Sequence, residues 1–337
     1  MERLLDKQYL EVENLVKHFP ISSRGILLRK KVGFIHAVDG ISFSIKKGET
    51  FGLVGESGCG KTTTARIILN LDSPTSGMVY LEGNDIYKVF NSKDKKEILK
   101  LRRKMQYVFQ DPYASLDPRM TVADIIMEPF IIHSHVPKEK RLDRLYKLLD
   151  LVGLEDYHAE RYPHEFSGGQ RQRICIARAL AVEPQLLIAD EPVASLDVSV
   201  RAQILNLLQE LQQKLRMTYL YISHDLSTVK HICHRVAVMY LGKIVEMAET
   251  DELFDSPLHP YTKALLSSIP IPDPETKIPR IILPGEVPSP INPPEGCRFQ
   301  PRCIYSKEHG CIENSPKLMD AGGGHLAACP IGMNQRK

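Results

Sequence analysis

The chain has 337 residues, a length that fits one large domain or two domains of modest size. Hydrophobic residues make up 43% and charged residues 25%, which is typical of a globular protein with a sizeable core. The formal net charge of +3 is too close to zero to indicate a nucleic-acid scaffold. No apolar run reaches the roughly 18 residues of a membrane span. The N-terminal residues lack the apolar core of a signal peptide, so we expect a cytosolic protein that reaches a membrane only through partners.

Two residue types are unevenly distributed. Four of the seven cysteines lie at or beyond residue 297, and twelve of the 23 prolines lie between Pro257 and Pro301. The end of the chain therefore differs chemically from the rest. Clustered cysteines in a cytosolic chain indicate a metal site or redox chemistry before disulfides.

Hydrophobic patterning predicts strands alternating with helices along most of the chain. Residues 9–16 alternate as an exposed edge strand does, and residues 22–33 form a basic loop. The remaining predicted strands are two strands within residues 37–56 joined at Lys47 and Gly48, then residues 105–109, 186–189 and 217–223, and a hairpin over 235–247 that turns at Gly242. The predicted helices are residues 62–70, 91–104 and 200–215, together with a mostly helical stretch over 119–180.

This alternation predicts an α/β fold, with a helical block inserted over about residues 111–180. After about residue 256 the prolines remove backbone donors and interrupt the periodicity, which predicts a linker or an extended arm. We therefore divide the chain into a core over residues 1–256 and a Pro-rich, Cys-rich region over residues 257–337.

The run GESGCGKT fits the phosphate-binding pattern G-x-x-x-x-G-K-[ST]. It lies between a predicted strand and a predicted helix, where glycines let backbone N–H groups curl around phosphate oxygens. Lys61 is suited to the β- and γ-phosphates, and the Thr62 hydroxyl is suited to Mg²⁺. The candidate nucleotide-binding residues of this loop are Gly55, Glu56, Ser57, Gly58, Cys59, Gly60, Lys61, Thr62 and Thr63.

A second motif, LLIADEP, follows near the middle of the chain. Its apolar strand delivers Asp190 to the strand tip, where a carboxylate holds the Mg²⁺ shell. Glu191 follows and is suited to polarising an attacking water. Together with the phosphate-binding loop, this motif predicts a nucleoside triphosphatase.

A third motif, FSGGQ, stands between the other two and precedes the helical run RQRICIARAL. It is a second serine–glycine loop at the start of a helix, and so a second anion-binding end. The three motifs together resemble the ATP-binding subunits of ABC transporters, where this signature loop closes over ATP held by the opposite subunit. Phe166 replaces the usual leucine. The signature residues are Ser167, Gly168, Gly169 and Gln170.

The resemblance implies roles for four further residues. Gln110 matches the glutamine that senses Mg²⁺ and water, and Asp197 matches the aspartate of the loop that crosses the dimer interface. His224 matches the histidine that contacts the γ-phosphate, and Phe19 occupies the position of an aromatic residue that stacks on adenine. The implied architecture is a P-loop ABC-type core with an antiparallel β subdomain, the inserted helical subdomain and a small Cys-rich extension.

Within that family the chain resembles the ATP-binding subunits of oligopeptide and dipeptide importers, and the second, F-type subunit most. Three sequence segments show this resemblance: QDPYASLDPRMTV, SPLHPYTKALLSSIP and LPGEVPSPINPPEGCRFQPRC. This implies an ATP hydrolase at the cytoplasmic face of the membrane that powers peptide import. The implied partners are a second ABC ATPase subunit (in a heterodimer, or a homodimer), two permease subunits and an extracytoplasmic peptide-binding protein, and no nucleic acid. The segment from Asp111 to Pro129 is the expected docking surface for a permease.

The C-terminal cysteines are Cys297, Cys303, Cys311 and Cys329. Structural zinc prefers tight C-x₂₋₄-C pairs, which this tail lacks, whereas wider spacing suits a larger cofactor such as a [4Fe–4S] cluster. The peptide-importer resemblance implies the same cluster. Zn²⁺ stays open as an alternative, with His309 and His325 as substitute ligands, and so does a site without metal. Cys175 and Cys233 lie in apolar contexts that predict buried thiols.

Other functions remain open alongside peptide import. Nickel, glutathione or another small solute is an alternative cargo, because related importers share these motifs. A soluble ABC-type ATPase that acts on DNA, ribosomes or iron–sulfur assembly is a different class, but one core with a terminal cysteine tail fits it poorly. A non-catalytic subunit would have lost catalytic residues, and the motifs here are intact.

Overall fold

The computed structural model of the chain describes residues 8–22, 31–269, 280–306, 311 and 315–334. These residues form two compact units, which we describe separately. The first unit contains the described residues of 1–9, 45–50 and 84–222. The second contains the described residues of 10–44, 51–83 and 223–337, so the C-terminal region folds in the same unit as the phosphate-binding loop.

The α/β prediction is confirmed, and most predicted elements are found with shifted ends. The strands are β1 Gln8–Ser22, β2 Lys31–Lys46, β3 Thr50–Val54, β4 Ser76–Leu81, β5 Asn84–Asp85, β6 Met105–Val108, β7 Leu186–Asp190, β8 Thr218–Ser223, β9 Arg235–Tyr240, β10 Lys243–Glu249, β11 Met319–Asp320 and β12 Leu326–Ala327. The α-helices are α1 Lys61–Ile68, α2 Ile86–Asn91, α3 Lys95–Lys104, α4 Pro112–Ser115, α5 Val122–His133, α6 Arg141–Leu151, α7 Gly168–Leu180, α8 Val198–Leu215, α9 Leu226–Ile232, α10 Thr250–Asp255, α11 Pro260–Ser267 and α12 Pro330–Asn334. Short 3-10 helices span Lys138–Lys140, Asp156–Glu160, Pro163–Glu165 and Gln300–Arg302.

The first unit contains three neighbouring parallel strands. β6 pairs with β7 and β7 pairs with β8, with Met105 opposite Leu186 and Leu186 opposite Thr218. Every residue of β7 and β8 is buried, as expected of central parallel strands covered on both faces. Parallel pairing brings the carboxyl ends of β6 and β7 to one edge, where Gln110 and Glu191 follow.

The predicted helical block is present in the first unit as α4 to α7 and three 3-10 helices. α5 begins at the Thr121 cap, whose hydroxyl accepts from the Asp124 N–H, and α7 begins at Ser167. The buried faces of α5, α6 and α7 pack together through side chains such as Phe130, Leu149 and Ile174, each fully buried.

The second unit contains an antiparallel sheet in which β1 lies between β2 and β4. Leu10 of β1 is opposite Leu81 of β4. The prediction of β1 as an exposed edge strand is therefore wrong. Alternation of apolar and polar residues reports that one face of a strand is buried, and an interior strand of a one-sided sheet has the same pattern.

The same unit holds β3 parallel to β9, and the hairpin of β9 and β10 that turns at Leu241 and Gly242. These two residues have φ of 44° and 81°, the left-handed pair that a tight two-residue hairpin needs. β12 pairs with β10, so the end of the chain extends this group of strands.

The predicted linker or arm contains a helix, α11, which corrects that part of the prediction. Pro260 stands at its first position, where the missing N–H has no partner to lose. Nδ1 of His259 accepts from the Tyr261 N–H over 3.1 Å and caps the helix. The described residues from 280 to 299 contain no helix or strand, as an extended arm predicts.

Candidate functional site

The phosphate-binding loop follows β3, whose five residues are buried, and ends where Lys61 begins α1. Gly55, Gly58 and Gly60 have φ of 151°, 78° and 111°, which side chains with a Cβ rarely adopt. The predicted order of strand, glycine loop and helix is confirmed.

Two of these glycines also lack room for a side chain. A Cβ at Gly55 would lie 2.1 Å from the carbonyl oxygen of Met239, and a Cβ at Gly60 would lie 2.1 Å from that of Ala37. At Gly58, by contrast, a Cβ would meet no described atom within 4 Å. The loop is thus packed at both ends and open in the middle, as a backbone cradle for phosphate requires.

Lys61 lies inside the loop. Its Nζ donates to the carbonyl oxygens of Gly55 and Glu56 over 2.7 and 3.0 Å, and only 5% of the residue is exposed. The same Nζ lies 3.7 Å from Sγ of Cys59. Burial raises the pKa of the Cys59 thiol, so this side chain is a protonated part of the loop wall.

The other candidates of the second unit lie near the surface. Ser57 and Thr62 are exposed, and Thr63 is half-buried on the first turn of α1. Phe19 is half-buried, with Nζ of Lys17 4.8 Å from its ring centroid. His224 is exposed directly after β8.

Glu56 has two partners that the sequence did not predict. Its backbone N–H donates to the Tyr261 hydroxyl over 3.0 Å, and its Oε2 accepts from Nη1 of Arg302 over 2.9 Å. Both partners belong to the C-terminal region, more than 200 residues away. No local pattern signals such contacts.

In the first unit, the structure brings Gln110 and Glu191 together. Nε2 of Gln110 donates to Oε2 of Glu191 over 3.0 Å. Asp190 ends β7 and is 2% exposed, and its Oδ2 accepts from the Tyr107 hydroxyl over 2.6 Å. Tyr107 was not predicted as a site residue, because its contact with Asp190 depends on the pairing of β6 with β7.

Glu191 has a left-handed backbone, with φ of 48°. Its N–H donates to the carbonyl oxygen of Ile222 over 2.8 Å, so the neighbouring strand holds this conformation. For a residue other than glycine this geometry costs free energy, of order 1–3 kcal/mol, and such strain is concentrated at functional positions.

The signature loop starts α7 with reciprocal hydrogen bonds. The Ser167 hydroxyl accepts from the Gln170 N–H over 3.3 Å, and Oε1 of Gln170 accepts from the Ser167 N–H over 3.1 Å. A Cβ at Gly169 would lie 2.3 Å from Cγ1 of Val200, and one at Gly168 would lie 3.2 Å from Cδ2 of Leu196. The predicted capped helix is confirmed, and its glycines permit close packing against α8 and the turn before it.

Phe166 is 4% exposed, so it serves as the apolar anchor that leucine would provide. Asp197 caps α8: its Oδ1 accepts from the Val200 N–H over 3.0 Å and from the Ser199 hydroxyl over 2.7 Å. These hydrogen bonds lower the pKa of Asp197, the backbone one most. Its carboxylate is therefore ionised and fixed in orientation.

The segment after Gln110 contacts the signature helix. The Arg171 guanidinium carbon lies 3.8 Å from the ring centroid of Tyr113, and Nη1 of Arg178 donates to the carbonyl oxygen of Ser115 over 2.6 Å. The Ser115 hydroxyl lies 3.1 Å from Sγ of Cys175. Cys175 and Cys233 are buried, as predicted.

The C-terminal cysteines lie close enough to affect one another. Burial raises the pKa of Cys297 to about 11, and Cys311, Cys329 and Cys303 each add to the shift. Burial likewise raises the pKa of Cys303 and of Cys311, with contributions from other members of the set. The Cys297 N–H donates to the carbonyl oxygen of Cys311 over 2.8 Å. Such thiols ionise together only when a cation stabilises them.

His325, a substitute ligand in the zinc alternative, has other partners. Its Nε2 lies 2.7 Å from Oε1 of Glu246, and its Nδ1 lies 3.3 Å from Oε1 of Glu252. Because both ring nitrogens are engaged, His325 is not available as a metal ligand. The other substitute, His309, lies outside the described residues.

One group was not predicted from the sequence. Among the described residues, His18, His36 and Asp39 form the group of His, Cys, Asp and Glu side chains whose ligand atoms all lie within 4.8 Å. Partial burial opposes ionisation of Asp39, but the charges of Arg298 and Lys243 and the hydrogen bond to His18 together lower its pKa. Two cations beside the only carboxylate disfavour a metal ion here.

Among the described residues, no helix is both long and apolar enough to cross a membrane. The chain matches the ABC transporter family model over residues 38–194 and the model "Oligopeptide/dipeptide transporter, C-terminal region" over residues 245–311. It is 52% identical to the oligopeptide transport ATP-binding protein AppF of Bacillus subtilis, over 96% of this chain and 97% of that protein.

Two solved structures are similar. The ATP-binding cassette MJ0796 with ADP and Pi has a TM-score of 0.61 at 30% identity, over 72% of this chain and 98% of that one. CbiO1 of Clostridium perfringens, part of the ABC transporter complex cbiONQ, has a TM-score of 0.62 at 30% identity, over 74% and 92%. The chain therefore belongs to the ABC transporter family of ATP-binding proteins, and it carries the C-terminal region of the oligopeptide/dipeptide transporters.

Proposed function

We propose that this chain hydrolyses ATP to power the import of di- and oligopeptides across the cytoplasmic membrane. The observation that carries the proposal is that the similarity to AppF extends through both the nucleotide-binding core and the C-terminal region. The core match supports ATP hydrolysis, and the C-terminal match supports peptides as the cargo.

The proposed roles follow the chemistry of each side chain. The loop N–H groups and Lys61 bind the phosphates, and Phe19 stacks on the adenine. Thr62, Asp190 and Gln110 are the residues that would hold Mg²⁺, which neutralises phosphate charge when bound. Glu191 orients the attacking water, with Gln110 fixing its carboxylate, and His224 contacts the γ-phosphate.

The signature residues require a partner subunit. We propose that Ser167, Gly168, Gly169 and Gln170 close over ATP held by a second ABC ATPase subunit, with Asp197 at the interface. That partner is a different subunit, or a second copy of this chain. The N-terminus of α7 supplies the N–H groups and the dipole for phosphate. Two permease subunits and a peptide-binding protein complete the importer, which places this chain on the cytoplasmic face of the membrane.

We propose the segment from Asp111 to Pro129 as the docking surface for a permease. Tyr113 is 66% exposed, and neighbouring Phe109 is 43% exposed. The Tyr113 ring also covers Arg171, four residues after Ser167. A permease that moves Tyr113 therefore acts directly on the helix that presents the signature loop.

Reconstitution of the complete importer tests the function. With the two permeases, the partner ATPase and the peptide-binding protein in liposomes, labelled di- and oligopeptides should accumulate only with ATP. Accumulation of nickel or glutathione instead would replace peptide as the cargo. ATPase activity that never responds to the membrane subunits would favour a soluble ABC-type ATPase.

We propose that the four C-terminal cysteines hold a [4Fe–4S] cluster. Their thiols lie close enough to affect one another's pKa, and five, seven and seventeen residues separate them along the sequence. Structural zinc favours C-x₂₋₄-C pairs, whereas four separated thiolates can hold a four-iron cluster. Protein purified without oxygen should be brown. Colourless protein with one Zn²⁺ per chain would overturn the assignment in favour of zinc.

A further inference from the structure

Two arginines connect the cysteine region with the nucleotide-binding core, and each lies next to a cysteine in sequence. Arg302 precedes Cys303, and its side chain is 10% exposed. Its Nη1 donates to Oε2 of Glu56, the second residue of the phosphate-binding loop, over 2.9 Å. Arg298 follows Cys297 and pairs instead with Asp39.

A buried aromatic cluster also connects the cysteine region with Glu56. Phe299 packs against Tyr240 and Tyr261, with ring centroids 5.3 and 5.5 Å apart, and each of the three side chains is at most 1% exposed. The Tyr261 hydroxyl accepts from the Glu56 N–H over 3.0 Å. Both the backbone and the carboxylate of Glu56 are therefore held by residues that contact or belong to the cysteine region.

The arginine that reaches Glu56 lies in a short turn whose ends are cysteines. The Gln300 N–H donates to the carbonyl oxygen of Cys297 over 2.9 Å, and the Cys303 N–H donates to that of Gln300 over 3.3 Å. A group bound to the thiols would fix both ends of this turn, and with them the backbone that carries Arg302. With no group bound to the thiols, the two ends of the turn lack this restraint, and Arg302 is held less firmly in that position.

We propose that filling of the four-thiol site strengthens nucleotide binding at the phosphate-binding loop, with Arg302 as the positioning residue that carries the effect through Glu56. The inference rests on the proposed cluster assignment. Because coupling between two binding sites is reciprocal, bound nucleotide must also raise the affinity of the thiols for the bound group by the same factor. Coupling of this kind changes affinity by about 5- to 150-fold, so we expect at least a fivefold effect.

The test compares the affinity of a fluorescent ATP analogue before and after the thiol-bound metal is removed. Full-length protein is purified without oxygen, and half is stripped with ferricyanide and EDTA. We expect stripping of the wild type to weaken binding at least fivefold. Arg302→Met should contain as much metal as the wild type. Its affinity for the ATP analogue should already be low before stripping, and stripping should change that affinity little. Arg302→Lys should restore part of the response.

Arg298→Met is the matched control, because Arg298 adjoins a cysteine but does not contact the phosphate-binding loop in the described contacts. It should respond to stripping as the wild type does. Equal affinity of stripped and loaded wild type, or a full response in Arg302→Met, would overturn the coupling and leave the ATPase role intact. Protein isolated without any bound metal would overturn the coupling and the cluster together. Failure of every form to bind the analogue would contradict the proposed function itself.

Discussion

Nε2 of Gln110 donates to Oε2 of Glu191 over 3.0 Å, so the second residue after β6 fixes the carboxylate of the first residue after β7. The two side chains are 81 residues apart in sequence and meet because β6 and β7 are parallel neighbours. A hydrogen bond from an amide N–H fixes the orientation of the carboxylate. A fixed orientation is what a general base for water needs.

Replacement of Glu191 by Gln should retain ATP binding and abolish turnover. The amide has the size of the carboxylate but accepts no proton, and loss of a general base costs about 10²- to 10⁴-fold in rate. Phosphate release measures turnover, and affinity for a fluorescent ATP analogue measures binding. Glu183→Gln is the control, because Glu183 pairs with the surface residues Arg103 and Arg144. Hydrolysis by Glu191→Gln at a near-normal rate would refute this role.

Alanine at Gly169 should destabilise the protein more than alanine at Gly168. The new Cβ would lie 2.3 Å from Val200 at the first site and 3.2 Å from Leu196 at the second. Overpacking of this kind costs about 1–3 kcal/mol, and we expect the melting temperature of Gly169→Ala to fall by several degrees. Val200→Ala added to Gly169→Ala should recover much of the loss. Equal melting temperatures for the two single variants would contradict the packing argument.

His259 should make the protein less stable as the pH falls from 7 to 5. Burial lowers the pKa of His259 to about 4, although the Glu246 charge opposes the shift. The unfolded chain therefore takes up a proton below about pH 6.5 while the folded chain does not, so stability decreases over this range by about 2 kcal/mol. Nδ1 of His259 also accepts from the Tyr261 N–H, which a proton there would prevent.

His259→Asn isolates this contribution, because asparagine can cap α11 without titrating. Denaturant unfolding at several pH values should give a smaller slope of unfolding free energy against pH for the variant than for the wild type. Identical slopes would exclude His259 as the source.

Tyr113→Ala should weaken the response of ATP hydrolysis to the permeases but not ATP binding. The substitution removes a 66% exposed ring that also covers Arg171. Exposed aromatic anchors that fill partner pockets contribute about 2 kcal/mol or more to interfaces, so we expect at least a tenfold loss of affinity for the permeases. Tyr157→Ala, which removes another exposed ring from the same unit, is the control. Unchanged assembly of Tyr113→Ala would place the docking surface elsewhere.

The sequence predicted most of the elements and the loops that carry the candidate site, because these are encoded locally. The glycine loop and LLIADEP each combine a buried strand with the residues that follow it, FSGGQ combines an apolar anchor with a helix cap, and the structure has each of these local elements. α11 was missed because Pro260 was interpreted as a break, although proline is favoured at the first position of a helix. The edge assignment of β1 failed because alternation does not report the number of neighbouring strands.

The partners of the site could not be predicted, for a different reason. Tyr107, Tyr261 and Arg302 contact Asp190 or Glu56 across separations of 83 to 246 residues. Nothing in periodicity or spacing specifies such contacts, since they depend on how strands are ordered. The left-handed conformation of Glu191 was also hidden, because the residue itself does not favour it.

Peptide uptake by the reconstituted importer, with wild-type chain or Glu191→Gln, decides whether ATP hydrolysis by this chain powers import. We expect ATP-dependent accumulation of peptide with the wild type, and none with Glu191→Gln although it still binds ATP and assembles. Uptake that continues with Glu191→Gln in every copy of the chain, at the wild-type rate, would contradict the claim that this chain's ATP hydrolysis powers import.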